Sequence, residues 1–132
     1  MKKYFIFLAI FLLVCPSLIF FAKSFYPAVD GAGRFKVELD LEQLDEHGLR
    51  GALDGKVSVS YEFCIPNTVE CKARVKAIDE TAQFMPGSRG RIGAGADQCL
   101  CVGSTHQKNY RAVLYSLAEL SCVGRIIVCD FE

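Results

Sequence analysis

The sequence predicts a small α+β sandwich of strand–helix–strand–strand–helix–strand order. One extra strand precedes that unit, and a single hydrophobic N-terminal helix precedes the whole. Three observations lead there: an uncharged apolar run at the N-terminus, alternating apolar and polar residues over 35–42 and 57–63, and helical spacing over 69–79 and 110–120. A chain of 132 residues has room for one core and not for two.

Lys2 and Lys3 introduce a run from Tyr4 to Ala22 without a charged residue. As a helix it would span about 28 Å, close to the hydrocarbon thickness of a bilayer. Two readings fit. A retained anchor needs only the span, and Pro16 is tolerated in a membrane helix. A cleaved signal peptide needs a basic start and small residues before the cut, which Ala22-Lys23-Ser24 offers. The sequence therefore divides into a membrane anchor or signal peptide at 1–28, a linker at 29–34 containing Gly31 and Gly33, and an extracytoplasmic α+β domain at 35–132. The membrane, through residues 4–22, is the first expected partner. The expected placement is membrane-anchored with the domain outside the cytoplasm, or secreted after cleavage.

Within the domain, Phe35, Val37, Leu39 and Leu41 alternate with Lys36, Glu38, Asp40 and Glu42, the period of a half-buried strand. This strand is expected to extend the sheet or to pair with the next one as a hairpin. Residues 43–55 are polar and carry the turn-prone pairs His47-Gly48 and Asp54-Gly55. Val57, Val59, Tyr61 and Phe63 form a second alternating set, with Ser58, Ser60 and Glu62 expected on the opposite side and Pro66 ending the strand. Asn67 followed by Glu70 reads as a helix N-cap and capping box, opening a helix to about Asp79. Ala82–Met85 is a weaker strand, and Pro86–Ala96 is a glycine-rich loop. Cys99–Ser104 reads as a compact apolar strand. Ser104 with Gln107 suggests a second capping box before the clearest helix, marked by Tyr110, Val113, Leu114, Leu117 and Leu120. Val123–Phe131 closes the chain as a β-branched strand. The βαββαβ order is that of a ferredoxin-like sandwich, with two helices on one face of an antiparallel sheet.

The formal charge is zero over the whole chain, but Lys2, Lys3 and Lys23 carry all the charge before residue 29, leaving an excess of acids in the domain. A mildly acidic surface without basic clustering argues against nucleic acid, whose phosphates require a positive face.

Beyond Cys15, six cysteines fall in the domain. An exported domain of this size suggests a disulfide framework. The predicted strand order brings Cys64, Cys99 and Cys122 to one edge, with Cys71 near the helix start, which suggests Cys64–Cys99 and Cys71–Cys122 bridges. No metal site or other cofactor is expected: Cys99-x-Cys101 is not a zinc knuckle, and no Cys/His pair follows at the required distance.

The least ordinary segment runs from Pro86 to Ala96, with four glycines and two arginines between Gly87 and Gly95. Such a loop presents backbone N–H groups and guanidinium forks to an anion. Arg89 and Arg91, with Asn67 and Thr68 at the start of the first helix, form the candidate ligand-binding set. Ser104 and His106 are weaker catalytic candidates, because a histidine at a helix start can serve as a base but has no evident partners. Two functions emerge. One is a non-catalytic domain, tethered or secreted, that binds an unknown protein partner or anionic ligand. The alternative is a small extracytoplasmic hydrolase or thiol enzyme using His106.

Overall fold

The computed structural model describes residues 31–130. The chain forms a small α+β domain. It begins with a short helix α1 (Gly31–Arg34) and a two-residue strand β1 (Val37–Glu38), followed by a 3-10 turn (Leu41–Gln43). Next come β2 (Leu49–Arg50), β3 (Val57–Ser58), β4 (Ser60–Pro66), α2 (Val69–Ile78), β5 (Gln83–Pro86), β6 (Gln98–Ser104), α3 (Tyr110–Glu119) and β7 (Ile126–Cys129). Five strands form one mixed sheet in the order β1-β7-β4-β6-β5, and β2 and β3 form a separate hairpin. All neighbours in the larger sheet run antiparallel except β1 and β7.

Strand alternation decides what each face carries. Along β4, Tyr61, Phe63 and Ile65 are fully buried and share a core with Cys99 and Cys101 of β6 and Ile126 of β7. Val75 of α2 and Tyr110, Leu114, Leu117 and Ala118 of α3 complete that core, so both helices cover the same face. α3 buries a continuous apolar stripe. α2 seats only Val75 completely, flanked by the half-buried Cys71 and Ile78, while Val69 is 81% exposed. The inward row of α2 therefore runs Cys71, Val75, Ile78, and Val69 and Ala73 are exposed.

Several local expectations are corrected. The expected strand at 35–42 shrinks to Val37–Glu38, because Asp40 accepts from the backbone N–H of Glu42 and turns the chain into the 3-10 turn that buries Leu41. Phe35 consequently lies 87% exposed. β1 extends the sheet beside β7. Residues 29–34, expected as a linker, contain α1. There Gly33 packs near Ala118 and Glu119, and the Arg34 guanidinium lies 5.6 Å from the Tyr115 ring centroid. Lys36 donates to the carbonyl of Val123 at 2.9 Å, a cation near the C-terminal end of α3.

The membrane expectation is also corrected. Among the described residues no helix is long and apolar enough to cross a membrane, so the domain itself supplies no anchor. Residues 4–22, on which the anchor and signal-peptide readings rest, lie outside the described residues. The described residues therefore give no support to a tether, to the membrane as a partner, or to the placement outside the cytoplasm that depended on them.

Candidate functional site

The sheet face away from the helices carries Glu62 at its centre. On β4 it stands opposite Val102 of β6 and Ile127 of β7, yet it is only 2% exposed. The burial comes from the loop joining β5 to β6, which folds back across this face. The backbone N–H of Ile92 donates to Glu62 Oε1 at 2.6 Å. Gly90 makes this approach possible. Its φ is +60°, and a Cβ there would lie 2.7 Å from Leu100 and 2.9 Å from Glu62 Oε2. A side chain at this position would therefore need both an unfavourable backbone and displaced neighbours.

Around this carboxyl group lies a pocket of about 470 Å³. Met85, Leu100 and Val102 form apolar walls, Glu62 and Cys129 lie at the buried side, and Arg91 and Asp130 are exposed. Burial raises the Cys129 thiol pKa first; the hydrogen bond and charge of Glu62 raise it further, and the Arg91 charge works the other way. Thiol, carboxyl and guanidinium thus sense one another. Asp130 is held by Arg50 at 3.2 Å, whereas Arg91 makes no ion pair among the described residues. The pocket combines one free cationic fork with a nearly dry carboxyl group, a pairing suited to a ligand that carries both an acceptor and a donor.

The other sequence-predicted site residues are placed differently. Thr68, not Asn67, is the N-cap of α2, its hydroxyl accepting from the N–H of Cys71 at 3.3 Å. The Asn67 N–H is used by the Asp97 carbonyl at 3.0 Å. Arg89 is exposed, and its carbonyl accepts from Ala94 within the loop. Arg91 thus joins Glu62 in lining this pocket, and Asn67, Thr68 and Arg89 are not among its lining residues. Pairing register separates the expected Cys64–Cys99 bridge: Cys64 stands opposite Leu100 and Cys99 opposite Ile65, so the two side chains leave opposite faces of the sheet.

His106 does not sit in a catalytic set. Its ring Nδ1 lies 3.3 Å from the His47 carbonyl, and Ser104 Oγ accepts from the His106 backbone rather than from the ring. Ser104 is not the cap of α3 either. Asn109 holds that position in a left-handed conformation (φ 56°) without a side-chain cap. Gln107 turns inward instead, donating to the Ser104 carbonyl at 2.8 Å and lying 3.1 Å from both Tyr61 Oη and Asp79 Oδ1. A groove of about 570 Å³ between the end of α2 and the start of α3 adjoins this network, but Gln107, one of its half-buried polar walls, is already committed to internal partners. Among the described residues no group of three His, Cys, Asp or Glu side chains is placed to hold a metal ion.

The alternation put Glu62 on the face opposite Tyr61 and Phe63, where it lies, but gave no sign of its burial. The signal was in β6, whose Cys99-Leu100-Cys101-Val102 run is apolar on both faces, as befits a strand covered on both sides.

Compared with known proteins, the chain matches no family model, no curated protein and no solved structure.

Proposed function

We propose that this is a non-catalytic binding domain, and that its site is the pocket beneath the glycine–arginine loop. The ligand is anionic: its acidic group meets the Arg91 guanidinium, while a neighbouring hydroxyl or ammonium donates to Glu62. The observation that carries this reading is a carboxyl group 98% buried that lines the same pocket as an arginine without an ion-pair partner among the described residues. A buried carboxyl group is costly unless hydrogen bonds compensate it, and among the described residues Ile92 N–H is the one backbone donor to Glu62. A ligand donor would supply a further one. The strand order β7-β4-β6-β5 around a βαββαβ chain also supports the ferredoxin-like arrangement, with β1 as an added edge strand.

The alternative, an enzyme built on His106, finds no support in that residue's surroundings, because among the described residues no carboxylate or nucleophile is hydrogen-bonded to its ring. The binding reading is tested by calorimetric titration with glycolate, which carries a donor beside its carboxylate, and with acetate, which does not. Glycolate should bind the wild type more tightly than acetate. Arg91→Ala should weaken glycolate by about tenfold or more, whereas Arg89→Ala should leave it unchanged. Equal effects of the two arginine variants would remove the pocket from the proposal.

A further inference from the structure

The six cysteines among the described residues are free thiols, and their positions decide which of them can join. Cys64 and Cys99 leave opposite faces of the sheet. Cys99 and Cys101 share a face, but they are alternate positions on one extended strand, with Cα atoms roughly 6.6 Å apart and side chains running side by side. Both are fully buried, out of reach of a dissolved oxidant. Cys129 stands opposite Ser60, four positions along β4 from Cys64, a separation of roughly 13 Å.

The remaining two thiols belong to the helix layer. Cys71 lies in the first turn of α2, and Cys122 follows the end of α3, where the Val123 N–H bonds the Leu120 carbonyl and turns the chain toward β7. Both are half-buried and pack against the same core. The end of α2 lies beside the start of α3, so the start of α2 faces the end of α3 and brings Cys71 toward Cys122; burial first, and then the neighbouring Cys71 thiol, raise the Cys122 pKa. α2 and α3 also contact each other directly.

We infer that Cys71 and Cys122 form a reversible disulfide, a modification site closed by a small-molecule disulfide such as oxidised glutathione and opened by a dithiol. One thiolate of the pair attacks a sulfur of glutathione disulfide, whose S–S bond breaks and releases one glutathione thiolate. The second cysteine loses its proton to solvent and attacks the mixed disulfide. The Cys71–Cys122 bond forms, and the second glutathione thiolate leaves. The domain gives up two electrons and two protons, which end on two glutathione thiols. The bridge fastens the first turn of α2, a helix with one fully buried side chain, to the segment between α3 and β7. Reduction releases that end of α2 while the sheet stays intact. This pair is independent of the pocket around Glu62, which lies on the other face of the sheet.

The test oxidises the full chain with oxidised glutathione, blocks remaining thiols with N-ethylmaleimide, and maps peptides without reduction. The expected product is one cross-link, Cys71 to Cys122, with a chain lighter by about 2 Da than its reduced form. Its Tm should rise by roughly 10 °C and return on treatment with dithiothreitol. Cys71→Ser and Cys122→Ser should each abolish the cross-link and its Tm rise, whereas Cys64→Ser should retain both. Alkylation of both Cys71 and Cys122 after oxidation, or a cross-link between any other pair, overturns the inference. The wild-type peptide map decides this even if a serine variant fails to fold.

Discussion

The Tyr61 hydroxyl donates to the Asp79 carboxylate at 2.5 Å, with both residues fully buried. This bond ties the start of β4 to the C-cap of α2. Asp79 also accepts from the N–H and hydroxyl of Thr81 at 2.9 and 2.7 Å, and Gln107 closes the network from the segment before α3. Gly103 leaves room for it, since a Cβ there would sit 2.5 Å from the Tyr61 ring. A satisfied buried network holds its elements in one arrangement, and losing a central member leaves the others unpaired.

Asp79→Ala is therefore expected to cost about 3 kcal/mol, and Tyr61→Phe about 1–2 kcal/mol. Urea denaturation of the single and double variants checks this. The double variant should cost less than the sum of the singles, because the second substitution finds its partner already gone. Strict additivity would mean that the two residues act separately.

Gly48 and Thr105 form a second fixed point. The Thr105 hydroxyl accepts from the Val59 N–H at 2.9 Å and donates to the Gly48 carbonyl at 2.6 Å. Gly48 has φ +74°, and a Cβ there would lie 1.9 Å from the Thr105 carbonyl oxygen. Gly48→Ala should cost at least about 2 kcal/mol by thermal or urea unfolding. Gly55→Ala, where a Cβ meets nothing within 4 Å, should stay within about 0.5 kcal/mol of the wild type. Similar costs for the two would contradict the packing described.

Asp45 gives the domain a specific acid response. The Lys56 ammonium at 2.7 Å, then the Leu49 N–H, hold its pKa down from 3.8 to about 2. Because the folded value lies below the unfolded one, ionised Asp45 favours the folded chain above about pH 4, and this contribution fades as the pH falls through about 2. Carboxyl-carbon NMR titration should find a midpoint well below 3.8 for Asp45. Lys56→Met should move that midpoint upward. An ordinary wild-type midpoint would show that the Lys56 contact does not persist in solution.

Much of the element order was legible because the core is strongly patterned. Val59, Tyr61 and Phe63 alternate, and Tyr110, Leu114 and Leu117 repeat at helical spacing, so periodicity located α3 and the first half of β4, while Val57, expected on the same face, lies exposed in the separate β2–β3 hairpin. The cap of α2 fell one residue late, at Thr68 instead of Asn67, because both residue types can cap and only the backbone path chooses between them. The site was half legible. Composition drew attention to the loop bearing Arg91, but the pairing of that loop with Glu62 depends on a fold-back that Gly90 permits and no local pattern announces. Gln107 was read as a local capping residue. Its main partners, Tyr61 and Asp79, are 46 and 28 positions away.

The central claim is the location of binding, and backbone amide chemical-shift mapping of the glycolate-titrated protein tests it most directly. The account predicts saturable shifts centred on Ile92, Glu62, Leu100, Val102 and Cys129, absent in Arg91→Ala. Shifts centred on Gln107 to Ser116, or no saturable shifts at all, would contradict it.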